Sequence, residues 1–254
     1  MTAAANHDGQ RLCVAFIGKG GSGKSSLAGT VCRHLARRGW PVLALDVDTL
    51  PGLAFSLGAP PDAAPRLPLG LAKIVEGKRG RYWKIGKGAG PAHIVDTYAL
   101  TTPDGVRLLE LGKLPGNVKP ETTMVFRRVI QQFHRPGWAM VADLAAGTRQ
   151  PVFGWSGFAA VRIIVMEPNG KGLLTLRNLA TVATHIVVNK VRSDADLERV
   201  RNATDLPIVA AVPYDRALSD AERRGAAPIE AVPKAPAVEV AGELATWLEL
   251  NATA

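Results

Sequence analysis

The sequence predicts an α/β domain with a mainly parallel central sheet flanked by helices, plus a β-hairpin insertion. Three observations predict it. Apolar runs of strand length alternate with amphipathic stretches of helix length. Several of those runs lead straight into glycine or aspartate, as strands of an open parallel sheet do where they meet functional loops. The 254 residues, 47% hydrophobic and 21% charged, can bury a sizeable core.

The elements follow in chain order. Residues 1–10 read as a short disordered lead-in, and 11–251 as one continuous domain without internal repeats. Leu12 to Ile17 is an apolar run closed by Gly18. Lys24 to Arg38 carries Leu27, Val31 and Leu35 at four-residue spacing, a helical stripe that Gly39 stops. Pro41 to Leu45 is the next strand and runs into Asp46 and Asp48. Residues 58–90 hold prolines, several glycines and little periodicity, which marks a long insertion. His93 to Leu100 and Val106 to Leu111 flank Pro103-Asp104-Gly105 and read as a β-hairpin.

Beyond it, Glu121 to His134 is a helix, with Arg127 and Arg128 expected on a solvated face. Trp138 to Val141 is a strand that leads to Asp143. Val161 to Met166, His185 to Val188 and Ile208 to Val212 supply further strands. Leu173 to Thr184, Asp194 to Ala203 and Ala217 to Arg224 supply helices. A last helix, near Val238 to Leu250, follows the proline-rich stretch 228–236. Its Leu244, Trp247 and Leu248 recur at helical spacing and are expected to pack on the sheet.

Composition narrows the function. No run of 18 apolar residues exists, so no transmembrane helix is expected. The first residues lack a basic-then-apolar signal pattern, and a cytoplasmic location is the expectation. Cys13 and Cys32, the two cysteines, have no metal-ligand spacing and read as small buried residues. The net charge of +9 favours acidic partners: nucleotides, nucleic acid or an acidic protein face.

Gly18-Lys19-Gly20-Gly21-Ser22-Gly23-Lys24-Ser25 fits the phosphate-loop pattern G-x-x-x-x-G-K-[ST] and sits between a predicted strand and a predicted helix. Glycines let the backbone turn its N–H groups around phosphate oxygens. Lys24 offers positive charge to the β- and γ-phosphates of ATP, and Ser25 a hydroxyl to Mg²⁺. The helix that starts there aims its positive end at the same anion. Ser26 extends the nucleotide-binding set. Lys19 is not required by the general pattern; it is either a solvated loop charge or a second cation for a phosphate held by a neighbouring subunit.

Asp46, Asp48 and Asp143 lie at the carboxyl ends of predicted strands, where ligands of such sheets bind. Asp143 has the position of a Walker B aspartate and would hold the Mg²⁺ shell; a helix N-cap or an ion pair is its plainer alternative. Asp48 is a candidate to orient or deprotonate the attacking water. Asp46 could do the same or bond the adjoining switch loop. Gly147 would let the chain turn close to the γ-phosphate.

At this point the residues resemble a known group. GKGGSGKSS is similar to the deviant Walker A loop of the MinD/ParA and nitrogenase-iron-protein ATPases, and most similar to the CooC-type nickel-insertion ATPases. The likeness runs in order through LALDVDTLPGLAFSLG, VADLAAG, IVMEP, IVVNKV and VPYD. It implies an ATP-sandwich dimer in which Lys19 reaches phosphates across the interface. It also implies that Asn189 reads the adenine edge, with Pro213, Tyr214 and Asp215 closing the base pocket. Asp48 would then activate water and Asp143 stand in switch II. CooC-type proteins carry a Cys-x-Cys metal motif before a Pro-Glu; the matching stretch here, 112–121, has no cysteine, and direct nickel carriage by that soft-ligand route is not expected.

The resemblance makes a dimeric Mg-ATPase that switches partner binding, as in metallocentre maturation, the first functional reading. A ParA-like positioning ATPase and a non-hydrolysing ATP-bound scaffold are the alternatives. Within the 58–90 insertion, Lys73, Lys78, Arg79, Arg81, Lys84 and Lys87 crowd around Tyr82 and Trp83. That mixture suits either nucleic acid or an acidic protein client.

Overall fold

Leu12–Ile17 forms β1, and all six of its side chains are buried, as befits a strand covered on both faces. The computed structural model describes residues 10–48, 52–61, 63–68, 70–78, 80–86, 90–112, 119–152 and 154–252. After β1 come α1 (Lys24–Arg37), β2 (Val42–Asp46), α2 (Leu53–Ser56), β3 (Ala72–Gly77), β4 (Gly80–Ile85), α3 (Pro91–Tyr98), β5 (Leu100–Thr101) and β6 (Arg107–Glu110). Then follow α4 (Pro120–Gln132), β7 (Ala139–Asp143), α5 (Arg149–Val152), β8 (Val161–Met166), α6 (Gly170–Leu179) and β9 (His185–Val191). The chain closes with α7 (Asp194–Arg201), β10 (Ile208–Pro213), α8 (Arg216–Arg223), α9 (Pro228–Ala231) and α10 (Pro236–Leu250).

Eight of the described strands form one sheet in the order β10-β9-β8-β1-β7-β2-β6-β5. Its pairs are parallel, apart from β5 against β6. Because side chains alternate along a strand, β1 feeds two cores. Cys13, Ala15 and Ile17 meet α3, α4, α6 and α7 through residues such as Ile94, Phe126, Leu176 and Val200. Leu12, Val14 and Phe16 meet α1 and α10 through Leu27, Val31, Leu35, Leu244 and Leu248. Cys13 and Cys32 are free, buried and on opposite sides of the sheet. This three-layer arrangement leaves the carboxyl ends of β1, β2 and β7 side by side, which is where the site forms.

Three local expectations are corrected. His93 to Leu100 is not a strand: Pro91–Tyr98 is helix α3, opened by Pro91 in its first turn, where a missing N–H costs nothing. Ile94 and Val95 turn one face of it inward. The Pro103-Asp104-Gly105 turn does form, closed by Thr102 N–H to Val106 O at 2.9 Å, but its first arm is the two-residue β5. The hairpin proper lies inside the insertion, where β3 pairs antiparallel with β4, Ala72 opposite Ile85 and Gly77 opposite Gly80. Lastly, Arg127 and Arg128 are half-buried rather than on a solvated face, and the Arg127 guanidinium lies 5.9 Å from the Trp155 ring centre. Of the expected 1–10 lead-in, only Gln10 falls within the described residues, and its carbonyl accepts from Gly137 N–H at 3.0 Å.

Candidate functional site

The loop 18–25 leaves β1 and enters α1 directly. Two of its glycines have no alternative. Gly18 (φ 143°) passes so close to β8 that a Cβ would sit 2.4 Å from the Val165 carbonyl oxygen. Gly23 (φ 91°) caps α1 in the left-handed region, and a Cβ there would meet the Asn189 amide nitrogen at 2.2 Å. Gly20 and Gly21 lie exposed at the top of the loop, while Ser22 is 3% exposed. Lys24 is buried, and its ammonium donates to the Lys19 carbonyl at 3.2 Å. The Lys19 side chain is exposed.

The sheet delivers the carboxylates. Phe16 on β1 and Asp46 on β2 are both in register with Asp143 on the intervening β7. Ser25, half-buried in the first turn of α1, donates its hydroxyl to Asp143 Oδ2 at 2.5 Å. Asp143 Oδ1 is buried without a hydrogen-bond partner. Burial lifts the Asp143 carboxyl to about 6, against the pull of the Lys24 charge and the Ser25 hydrogen bond, and nearby Asp48 adds to the rise. Burial and then the Asp143 charge push Asp46 well above the ordinary carboxylate range.

Asp46 fastens the loop beyond its own strand. Its Oδ1 accepts from Asp48 N–H at 3.1 Å, and its Oδ2 from Gly52 N–H at 3.1 Å and Leu53 N–H at 3.0 Å. Of the two roles open to Asp46, the structure places it in the second. Asp48 is half-buried, and its Oδ2 accepts from Ala146 N–H at 3.4 Å. Gly147 (φ 106°) bridges to Gly18, its N–H donating to the Gly18 carbonyl at 3.0 Å. The loops after β2 and β7 thus close around the phosphate loop. A desolvated carboxylate oxygen with no partner, a serine hydroxyl and a second carboxylate are hard oxygen donors, and this set fits Mg²⁺ bound together with phosphates.

A cleft opens beside the loop, lined by Gly21, Gly23, Ser26, Asn189, Pro213 and Asp215 among others. Apolar walls come from Leu27, Val212, Leu218 and Val238. Its mix of an apolar body with a few polar groups is common to small-molecule sites. Asn189 is engaged at both ends of its amide: Nδ2 donates to the Ser22 carbonyl at 2.7 Å, and Oδ1 accepts from Lys190 N–H at 2.9 Å. Asp215 caps α8 by accepting from Leu218 N–H at 3.1 Å. Tyr214, at the mouth, is covered by the Arg192 guanidinium 3.8 Å from its ring centre.

The family described as CobQ/CobB/MinD/ParA nucleotide binding domain matches residues 13–229. The chain belongs to that family. It is 26% identical over 239 residues to the carbon monoxide dehydrogenase accessory protein CooC of Rhodospirillum rubrum, which spans 84% of this chain and 87% of that protein. An uncharacterized ATP-binding protein of Methanocaldococcus jannaschii is 28% identical over 237 residues, with 84% and 89% covered. Among solved structures, the septum site-determining protein MinD of Pyrococcus horikoshii, complexed with Mg-ADP, superposes with a TM-score of 0.67 at 20% identity, over 94% of this chain and 96% of that one. The loop 18–25 lies within the stretch matched as a nucleotide-binding domain, and the cleft is lined largely from it. No helix among the described residues is long and apolar enough to cross a membrane.

Two residues of this CobQ/CobB/MinD/ParA domain escaped the sequence reading. Lys190, at φ 60°, sends its ammonium to the Gly21 carbonyl (2.8 Å) and to Glu167 (2.6 Å), which ties the phosphate loop to the end of β8. Gln150 accepts from Ala145 N–H at 2.9 Å and donates to the Val47 carbonyl at 3.3 Å, so it stitches the loop after β7 to the one after β2. Neither carries a local pattern; Asn189-Lys190 in sequence was the only hint of the first. Of the basic insertion, Lys73, Lys78, Arg81 and Lys84 are exposed on the hairpin, and Arg79 and Lys87 lie outside the described residues.

Proposed function

We propose that this chain is a Mg²⁺-dependent ATPase that works as an ATP-sandwich dimer and uses hydrolysis to switch its hold on a protein client. The observation that carries the reading is the opposed orientation of two lysines on one loop. Lys24 is turned inward beneath the phosphate cradle, where it can neutralise the β- and γ-phosphates of its own nucleotide. Lys19 is turned out to solvent, suited to phosphates presented by a second copy. Gly18, Gly20, Gly21, Ser22, Gly23, Ser25 and Ser26 would surround the phosphates and α-side of the nucleotide. Asn189, Pro213 and Asp215 would wall the base, with Asn189 also bracing the loop through Ser22.

Ser25 and Asp143 would hold Mg²⁺, which when bound would neutralise charge on the phosphate oxygens. Asp48 would take the attacking water, fixed in place by the backbone of the loop after β7. Catalysis would then consist mostly of positioning and charge neutralisation. Likeness to CooC supports a client in metallocentre assembly. Both cysteines are buried, so a metal cargo would sit on the client rather than on thiolates of this chain.

The test couples light scattering to phosphate release, with and without Mg-ATP. The wild type is expected to dimerise with ATP. Asp48→Ala should accumulate as an ATP-bound dimer with release slowed about a hundredfold or more. Lys19→Ala should lose both dimerisation and hydrolysis. If Lys19→Ala keeps both, the dimer reading fails. If the wild type releases no phosphate and Asp48→Ala changes nothing, the chain is an ATP-bound scaffold instead.

A further inference from the structure

Residues directly opposite in an antiparallel pair share a face. In the β3–β4 hairpin, Ala72 and Ile85, Ile74 and Trp83, and Glu76 and Arg81 make one face; Lys73 and Lys84, Val75 and Tyr82, and Gly77 and Gly80 make the other. The first face anchors the hairpin at its open end, where Ala72 is buried and Trp83 and Ile85 pack against the core, while Ile74 nearer the tip is 55% exposed. The hairpin's single acid, Glu76, is taken on that side by Arg81 at 3.2 Å.

The outer face is left positive. Lys73 and Lys84 are exposed and directly opposed, an arrangement that costs stability because like charges repel across a strand pair. Between them and the tip lies Tyr82, 56% exposed. A Cβ on Gly77 would fall 2.7 Å from its Cε1, so the ring lies down over the bare glycine and turns its other side to solvent. A ring laid against the ribbon, with an opposed pair of lysines beside it, is a stacking platform next to phosphate-binding cations.

We propose that this outer face binds single-stranded nucleic acid, with a base stacked on Tyr82 and adjacent phosphates met by Lys73 and Lys84. An acidic peptide would satisfy the lysines, whereas a nucleic acid strand supplies at every residue both an anion for a lysine and a flat base for the ring. The site is separate from the nucleotide cleft and does not depend on the ATPase reading.

The experiment is fluorescence anisotropy of labelled oligothymidylate and oligouridylate, each of about 12 nucleotides, with the full chain over roughly 50 to 200 mM salt. Binding of either strand should weaken with salt. Tyr82→Ala should weaken it about ten- to a hundredfold, and Tyr82→Phe should restore it. Lys73→Gln and Lys84→Gln should each lower the salt slope by roughly 0.7. These side chains point away from the anchoring face, so affinity for a fluorescent ATP analogue should be unchanged, which separates a lost site from a lost fold. No oligonucleotide binding, binding indifferent to Tyr82→Ala, or binding only of a polyglutamate probe would each overturn the proposal.

Discussion

Consider Asp143→Asn in the protein without nucleotide or metal. Asp143 is buried, and its carboxyl is raised from 3.8 to about 6. The unfolded chain gives up this proton near the ordinary value, the native chain only near the raised one. Between those limits the native state holds the extra proton, so stability falls as pH rises through the window. A shift of this size amounts to ~3 kcal/mol once the group is fully ionised. Asparagine removes the charge and keeps an oxygen to accept from Ser25. The variant should therefore be the more stable protein at about pH 7.5, by ~3 kcal/mol, and the difference should shrink toward zero near pH 4. Asp46 is raised in the same direction, so the variant keeps some pH dependence of its own, and only the difference between the two proteins is diagnostic. Urea unfolding followed by tryptophan fluorescence across that range measures it. A difference that is flat with pH, or a wild type more stable than the variant at neutral pH, would refute the reasoning.

Further outcomes follow from the same geometry. Mg-ATP should bind with release of a proton, and its affinity should fall by roughly tenfold per unit below about pH 6, where Asp143 becomes protonated; calorimetry in buffers of different ionisation enthalpy reads this. Gly23→Ala places a Cβ 2.2 Å from Asn189 on a residue at φ 91°, so it should cost about 1–3 kcal/mol and most nucleotide binding, checked by urea unfolding and analogue titration. Arg33 is 1% exposed, and it holds Asp104 and Glu230 beneath α1. Arg33→Met removes the buried charge itself and leaves Glu230 in solvent and Asp104 paired with Arg37, so it should destabilise by only about 1 kcal/mol, while leaving nucleotide affinity unchanged.

What could be read from the chain was what physics encodes locally. The phosphate loop was legible because its glycines, lysine and serine are bound to fixed spacing by the turn they make, and β1 because a strand buried on both faces reads as an unbroken apolar run, with β8 interrupted only by Arg162. α3 was misread because His93-Ile94-Val95 has the β-branched flavour of a strand; Pro91 ahead of it, and Ile94 and Tyr98 at helical spacing, were the better signals. The β3–β4 hairpin hid behind its charges, its alternation diluted by Val75 and Trp83 on adjacent positions to Ile74 and Tyr82. Asp48, Asp46 and Asp143 could be picked out as strand-end acids, but nothing local showed that Asp46 would be spent on the backbone of Gly52 and Leu53. Gln150 and Lys190 act on carbonyls more than a hundred positions away in the chain, a separation that no local pattern records.

The register of Phe16, Asp143 and Asp46 across neighbouring strands has a practical consequence. Their separation is set by the ladder itself, ~4.8 Å from strand to strand, and not by the segments that join the strands. The connections at the opposite end of the sheet are then free to change. Residues 202–205, largely exposed between α7 and β10, lead into the sheet at its amino-terminal edge, away from the strand-end acids and the loop 18–25. A peptide epitope or a fluorophore-bearing segment spliced there would report on this protein in a living cell without detuning the chemistry at the other end.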